Sequence, residues 1–142
     1  MAILSRVLKP GLLLACASLV WLGAGCASTP QDTTNMPAPS ATVEMHIHSF
    51  DPKSVTIQAG QAVLWKNTTF VVGHTVTCDP KLAKDPADVA LPAGAEPFNS
   101  DTVSSGSTYE HVFTVPGTYR YFCIPHEGNG MVGDVIVQPA AH

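Results

Sequence analysis

The sequence predicts an all-β sandwich of seven or eight strands with one long irregular excursion at about 79–99. Charged residues make up 13% and hydrophobic residues 45%, with 11 glycines and 12 prolines. This mixture is too apolar for a disordered chain and too rich in turn formers for a helical bundle. Turn signals recur at short intervals, and short runs of β-branched and aromatic residues lie between them. The predicted strands are 43–48, 55–57, 62–65, 75–77, 111–115, 119–122 and 135–137.

The first 25 residues are predicted to be an export signal. Arg6 and Lys9 precede an apolar run at 11–23, and small residues follow it. A membrane-spanning helix is the competing interpretation. Two glycines interrupt the apolar stretch, which leaves too few strongly apolar residues for a span.

Cys26 is the predicted lipidation site. The run 22–26, Leu-Gly-Ala-Gly-Cys, resembles the lipobox of bacterial lipoproteins, in which the cysteine becomes the lipidated first residue. Cleavage by the ordinary signal peptidase, without lipidation, is the alternative. Small residues are found at the cleavage sites of both kinds of signal. Cys16 also follows an apolar run, but Lys9 lies too close upstream of it. Residues 26–42, rich in Ser, Thr and Pro, are predicted to be a flexible tether, and 43–142 the folded domain.

The charge balance argues against a nucleic-acid partner. The chain has 7 basic and 11 acidic residues. Arg6 and Lys9 lie in the predicted leader, which contains no acid, so the exported part carries a net charge of −6. Binding to nucleic acid requires an excess of basic side chains.

The excursion at 79–99 has four prolines, mixed charge and no clear period. We expect at most a turn or two of helix in it. A solvated loop and a docking element for a particular partner are the two interpretations of its role.

Several residues that can bind a metal ion lie close together in the sequence after Cys123. The exported domain keeps two cysteines, Cys78 and Cys123, for which a disulfide is one interpretation. Against it, Cys123 opens a loop with C-x2-H-x4-M spacing that also contains His126 and Met131. Sulfur and imidazole together are the donor set of copper. His74 heads a predicted strand that can lie beside the strand ending at Cys123, and it is the candidate for the fourth donor.

These four residues resemble the type 1 copper site of the cupredoxins, and the loop is most similar to that of plastocyanin. The resemblance extends over about 43–137 and includes the Pro-Gly-Thr-Tyr run at 116–119. It implies a Greek-key β-sandwich with one copper ion held by His74, Cys123, His126 and Met131. Two imidazoles and a thiolate form a trigonal set, to which the thioether adds a weak axial donor.

The resemblance also implies how the site meets a partner. His126 would be the partly exposed ligand, surrounded by an apolar docking surface of Gly73, Pro125, His126 and Gly128, with the other histidine and the cysteine deeper. Thr75 stands where plastocyanins have asparagine. The hydrogen bonding that stiffens the cysteine loop therefore comes from its hydroxyl or is lost.

The function implied is that of a monomeric electron carrier on the periplasmic side of a bacterial cell envelope. It would cycle Cu(II)/Cu(I) between redox proteins such as a cytochrome, an oxidase or a reductase. Periplasmic copper storage or delivery is the alternative. A copper enzyme is least favoured, because such enzymes need further copper centres and larger architecture.

Three other side chains have alternative interpretations. His46 and His48 share one face of the first predicted strand, so they would either bind a second copper ion or be exposed histidines. Cys78 is predicted to be a buried core thiol, because free cysteine is among the most buried residue types.

Overall fold

The computed structural model describes residues 38–141. The predicted leader, Cys16, Cys26 and most of the predicted tether lie outside these residues and stay predictions. The first strand begins at Ala41, so the last two residues of the predicted tether belong to it. Within 38–141 no helix is both long enough and apolar enough to cross a bilayer.

The described residues form nine strands and two 3₁₀ helices, and the predicted all-β sandwich is confirmed. Every predicted strand overlaps an observed one. The two strands without a prediction, β2 and β6, have two residues each, which is too short for a sequence pattern. The strands are β1 Ala41–Met45, β2 Phe50–Asp51, β3 Ser54–Gln58, β4 Gln61–Asn67, β5 Thr77–Cys78, β6 Phe98–Asn99, β7 Thr108–Phe113, β8 Gly117–Phe122 and β9 Val132–Gln138.

The strands form two sheets. One has the order β2-β1-β4-β7 and the other β3-β9-β8-β5-β6. The pairs β1–β4 and β3–β9 are parallel, whereas β8 and β9 are antiparallel neighbours. The loop that joins β8 to β9 therefore turns back at one end of the second sheet.

The core lies between the two sheets and is rich in aromatic side chains. In β1, β3 and β9, buried and more exposed positions alternate, as expected for strands with one face against a core. Trp65 of β4 is fully buried and meets Tyr121 of β8 edge to face, with ring centroids 5.3 Å apart. Full burial of each large apolar side chain contributes about 1.5–3 kcal/mol.

The first strand begins two residues earlier and ends three residues earlier than predicted. It ends at Met45, where the backbone N–H of His46 donates to the carbonyl of Ser49 (2.9 Å) and the chain turns back into β2. Ile47 is 59% exposed instead of facing the core. His46 and His48 therefore lie in a turn, and the prediction that they share a strand face is wrong.

The excursion at 79–99 is irregular, as predicted, and it is tied to the second sheet. It contains one short 3₁₀ helix, Pro86–Asp88, which the Asp85 carboxylate caps through the backbone N–H of Ala87 (2.9 Å). Ala90 forms a bridge with Arg120 of β8 and accepts a hydrogen bond from the thiol of Cys78 (3.2 Å). The excursion ends by pairing with β5 as strand β6.

Candidate metal centre

The loop between β8 and β9 carries three of the four predicted ligands. After Cys123 the chain forms a 3₁₀ helix, Ile124–Asn129, and Gly130 follows with φ 74°, a left-handed conformation that favours glycine. The N–H of Cys123 donates to the carbonyl of Met131 (3.0 Å), and the N–H of Met131 donates to that of His126 (3.3 Å). These bonds close the loop and hold its three donor residues at one end of the sandwich.

His74 reaches the same end from a different part of the chain. It forms an isolated antiparallel bridge with Val103, in which each residue donates its N–H to the other's carbonyl (3.2 and 2.8 Å). The regular strand begins only at Thr77, which pairs with Phe122 at the end of β8. The prediction that this strand lies beside the strand ending at Cys123 is confirmed, because β5 pairs with β8. However, β5 begins three residues after His74 and not at His74 itself.

Asn67 organises the segment that leads to His74, although the sequence pattern indicates only a turn at this position. Its buried amide donates to the carbonyls of Val72 (2.8 Å) and Val103 (2.9 Å). Its carbonyl oxygen accepts from the backbone N–H of Thr69 (3.0 Å). One side chain thus holds both the loop before His74 and the segment that pairs with it.

The three nitrogen and sulfur donors converge. Nδ1 of His74 lies 3.6 Å and Nδ1 of His126 lies 3.3 Å from the Sγ atom of Cys123. The three donor atoms all lie within 4.8 Å of one another. Imidazole and thiolate bonds of about 2.0–2.3 Å to one ion, at trigonal angles, place nitrogen about 3.8 Å from sulfur. The observed separations are close to that value, so the donor set fits a single transition-metal ion.

Met131 completes the set. Its side chain is fully buried and its backbone is bonded to that of Cys123. With His74, Cys123 and His126 it forms a site like that of type 1 copper. A thioether beside a thiolate and two imidazoles favours copper over zinc, because copper accepts soft sulfur donors.

Thr75 supports the cysteine from two directions. Its backbone N–H donates to Sγ of Cys123 (3.3 Å), and its hydroxyl oxygen accepts the N–H of Ile124 (2.8 Å). The hydroxyl of Thr77 donates to the same oxygen (3.0 Å). Of the two outcomes left open by the sequence, the hydroxyl of Thr75 supplies the hydrogen bond.

Burial sets the protonation of the donors in the metal-free protein. It lowers the pKa of His74 to about 4, and repulsion from protonated His126 and His48 adds to this effect. Burial also lowers the pKa of His126. The pKa of the Cys123 thiol is raised by burial, which the N–H of Thr75 partly offsets by donating to the sulfur. Both imidazoles are therefore neutral and ready to bind a metal at pH 7.

The burial of the ligands follows the depth order that the resemblance implied. His74 and Cys123 are fully buried, whereas His126 is partly exposed. Pro125 and Gly128, predicted to surround His126, are exposed, and Gly73 is half-buried. A Cβ atom on Gly73 would lie 2.8 Å from Cγ2 of Thr102, so a larger residue here would have to displace that methyl group.

An apolar groove beside His126 was not predicted. The ring of His48 meets that of His126 edge to face, with centroids 5.2 Å apart. His48 also lines an open groove of about 650 Å³ whose other walls include Ile47, Phe70 and Val71. Phe70 is 94% and Val71 91% exposed, so the groove presents large apolar side chains to solvent.

The remaining candidates lie apart from the donor set. Nε2 of His46 lies 3.8 Å from the carboxylate of Glu44 and 4.0 Å from that of Asp51, while His48 contacts His126. Among residues 38–141 no group of three donors that includes either histidine is found. Cys78 is a buried free thiol, as predicted, and burial raises its pKa to about 12. The alternative disulfide is wrong, because Cys123 is free as well.

Comparison with known proteins agrees with this site. Residues 38–138 match the family of copper-binding proteins described as the plastocyanin/azurin family. A chloroplastic plastocyanin of Tetradesmus obliquus is 40% identical over 96 residues, which cover 63% of this chain and 58% of the relative. A plastocyanin of Scenedesmus fuscus is 37% identical over 91 residues, covering 63% of this chain and 86% of the relative. The chain thus spans less than two thirds of the first of these relatives.

A solved structure with a similar fold is the copper-containing nitrite reductase of Thermus scotoductus SA-01. The two share 29% identity with a TM-score of 0.57, and the match covers 74% of this chain but only 23% of the reductase. The likeness therefore concerns one part of a much longer chain.

Proposed function

We propose a function from one established premise: the chain belongs to the plastocyanin/azurin family of copper-binding proteins. It is a small blue copper electron-transfer protein that works between redox partners in the bacterial cell envelope. The observation that carries this proposal is the convergence of His74, Cys123 and His126 at one end of the sandwich, with the buried Met131 beside them. Copper held there supplies a Cu(II)/Cu(I) couple that takes up and releases one electron at a time.

The residues around the donors hold them in place. His74 is fixed by its bridge to Val103, and the cysteine loop is fixed by Thr75. Donors that keep their positions when the charge of the site changes keep the reorganisation cost of electron transfer low. Four protein donors also leave no position for a substrate, which favours a carrier over an enzyme.

His126 is the proposed point of electron exchange, because it is the exposed member of the set. The surface of Gly73, Pro125, His126 and Gly128, extended by the apolar groove, suits brief docking of a cytochrome, oxidase or reductase. Exposed apolar patches of this kind mark interaction sites. The partner's protein surface would exclude water from the contact with His126.

The likeness to a nitrite reductase does not extend the proposal to catalysis. Among residues 38–141 one group of three His, Cys, Asp or Glu donors comes together. The match covers less than a quarter of the reductase. We assign this chain electron transfer alone.

A visible spectrum and a reduction potential test the function. We expect the Cu(II)-loaded protein to show an intense thiolate-to-copper band and a reversible one-electron couple. A colourless Cu(I) protein that loses its metal readily would contradict electron transfer and support storage or delivery instead.

The proposed location depends on the leader and on lipidation of Cys26. We expect Cys26→Ala to move the protein from the membrane fraction to the soluble fraction of the host cell. Cys16→Ala is the matched control and should leave the protein in the membrane fraction. Retention of Cys26→Ala in the membrane would argue for an uncleaved anchor.

A further inference from the structure

Glu127, the residue after the exposed ligand His126, is a buried carboxylate with an unusual set of partners. It is only 5% exposed. Its Oε1 atom accepts the backbone N–H groups of Lys84 (2.7 Å) and Asp85 (2.9 Å), which lie in the excursion more than forty residues away. One side-chain oxygen thus accepts two neighbouring backbone donors of a distant segment.

The backbone of Glu127 belongs to the closed ligand loop. The N–H of Gly130 donates to its carbonyl (2.8 Å), and the neighbouring carbonyl of His126 accepts from Met131 (3.3 Å). Any displacement of Glu127 therefore moves a backbone that carries two of the metal donors. The side chain of Glu127 is the link between this loop and the excursion.

The excursion is itself held in place by hydrogen bonds to the second sheet. It is attached to β8 by the bridge between Ala90 and Arg120, and to β5 by the Cys78 thiol. The Asp85 side chain also caps the short 3₁₀ helix that follows. A carboxylate bonded to such a segment restrains the loop, whereas one bonded to a free loop would not.

We infer that Glu127 is a positioning residue for the copper site, because its carboxylate clamps the ligand loop to residues 84–85 of the excursion. The clamp fixes the backbone on which His126 and Met131 sit, and it thereby sets the spectrum of bound copper and the rate of its release. The excursion is then part of the metal centre's support and not only a solvated loop. This inference rests on the copper site of the proposed function.

Two substitutions separate the reach of the side chain from its charge. Glu127→Gln keeps an acceptor oxygen at the same distance and removes the charge. Glu127→Asp keeps the charge but is one methylene shorter, so it cannot hold both N–H groups. Asp88→Asn is the control, because it removes a charge from the same excursion and its side chain takes no part in the clamp.

The full chain is loaded with copper, and two properties are compared: the thiolate-to-copper band and the rate of copper release to a chelator. We expect Glu127→Asp to change the band and to release copper about fivefold to tenfold faster, as loss of one of the two hydrogen bonds predicts. Glu127→Gln and Asp88→Asn should stay within about threefold of the wild type. A Glu127→Asp protein with the wild-type band and release rate would overturn the inference, as would Glu127→Gln behaving like Glu127→Asp.

A measurement on the unaltered protein keeps the inference testable if a variant does not fold. If the hydrogen bonds from Lys84 and Asp85 to Glu127 strengthen copper binding, then copper binding must strengthen these hydrogen bonds by the same free energy. We expect copper loading to slow hydrogen exchange at the amides of Lys84 and Asp85 by at least about threefold more than at Ala95, whose N–H is bonded within the same excursion (3.0 Å). Equal slowing at all three amides would overturn the inference.

Failure of the clamp and failure of the proposed function are distinguishable. A wild-type protein that binds copper without a reversible couple would contradict electron transfer. The release and exchange measurements need only that copper binds.

Discussion

The hydroxyl oxygen of Thr75 accepts the backbone N–H of Ile124 at 2.8 Å, across 49 positions of sequence. Thr75 follows one ligand, His74, and Ile124 follows another, Cys123. The bond therefore joins the two parts of the chain that must meet to form the metal centre. It does so with a residue that differs from the asparagine expected from the resemblance.

Thr75→Val should destabilise the metal-free protein. Valine has the same shape but leaves the N–H of Ile124 without its acceptor, which costs about 1–3 kcal/mol. Urea denaturation of the apo protein measures the free energy of unfolding. Thr75→Ser keeps the hydroxyl and is the control, and equal stability of the two variants would contradict the role assigned to this bond.

Cys123→Ser should abolish the thiolate-to-copper band. Cys123 supplies the sulfur that lies within 3.6 Å of both ligand imidazoles. Cys78→Ser is the matched control, because Cys78 is equally buried but its thiol faces the carbonyl of Ala90. Absorption spectra of the copper-loaded proteins decide, and a band that survived in Cys123→Ser but vanished in Cys78→Ser would show that the ligands are misassigned.

Substitutions of Met131 should shift the reduction potential in opposite directions. An amide oxygen is a harder donor that favours Cu(II), so Met131→Gln should lower the potential, while Met131→Leu removes the axial donor and should raise it. A shift of about 59 mV is a factor of ten for a one-electron couple. Cyclic voltammetry at one pH gives the order, and the reverse order would mean that Met131 only fills space.

Acid should destabilise the metal-free protein through His74. Its pKa is about 4 in the folded state, against 6.5 for a histidine in an unfolded chain, so unfolding takes up a proton that the folded protein resists. The free energy of unfolding should therefore fall as pH drops from about 6.5 to about 4. At about 1.4 kcal/mol per pH unit, the loss is of the order of 3 kcal/mol.

Denaturation of the apo protein across this pH range measures the effect. His74→Gln should reduce the slope between pH 6.5 and 4 without abolishing it, because His74 no longer titrates while His126, whose pKa is also lowered, still does. An unchanged slope in His74→Gln would assign the acid sensitivity to another group.

The metal donors Cys123, His126 and Met131 could be predicted because all three lie within nine residues, at a spacing that allows one loop to bring them together. His74 could be added because a strand beginning there can lie next to the one that ends at Cys123. The supporting residues Asn67 and Glu127 could not be predicted in the same way. Both act by bonding backbone groups of distant segments, and a single polar side chain carries no sequence pattern that names such partners.

In the fold, too, features with a local sequence pattern could be predicted and features that depend on distant segments could not. Strands with several β-branched or aromatic residues were predictable, whereas the two-residue strands β2 and β6 exist only because a neighbouring strand is there to pair with them. The end of β1 was missed because the alternation of apolar residues continues to Ile47. A turn bonded from His46 to Ser49 breaks the strand in spite of that pattern.

The bridge between His74 and Val103 has a consequence for how the protein gains and loses its metal. His74 is 49 positions before Cys123 and is placed by contacts that exist only in the closed sandwich. An unfolded chain keeps the three donors of the short loop near one another but separates them from the fourth. Copper therefore binds the native chain more tightly than the unfolded one, so the ion acts as a ligand that shifts the folding equilibrium toward the native state. Heat or denaturant would then release metal and unfold the chain in one transition whose midpoint rises with copper concentration.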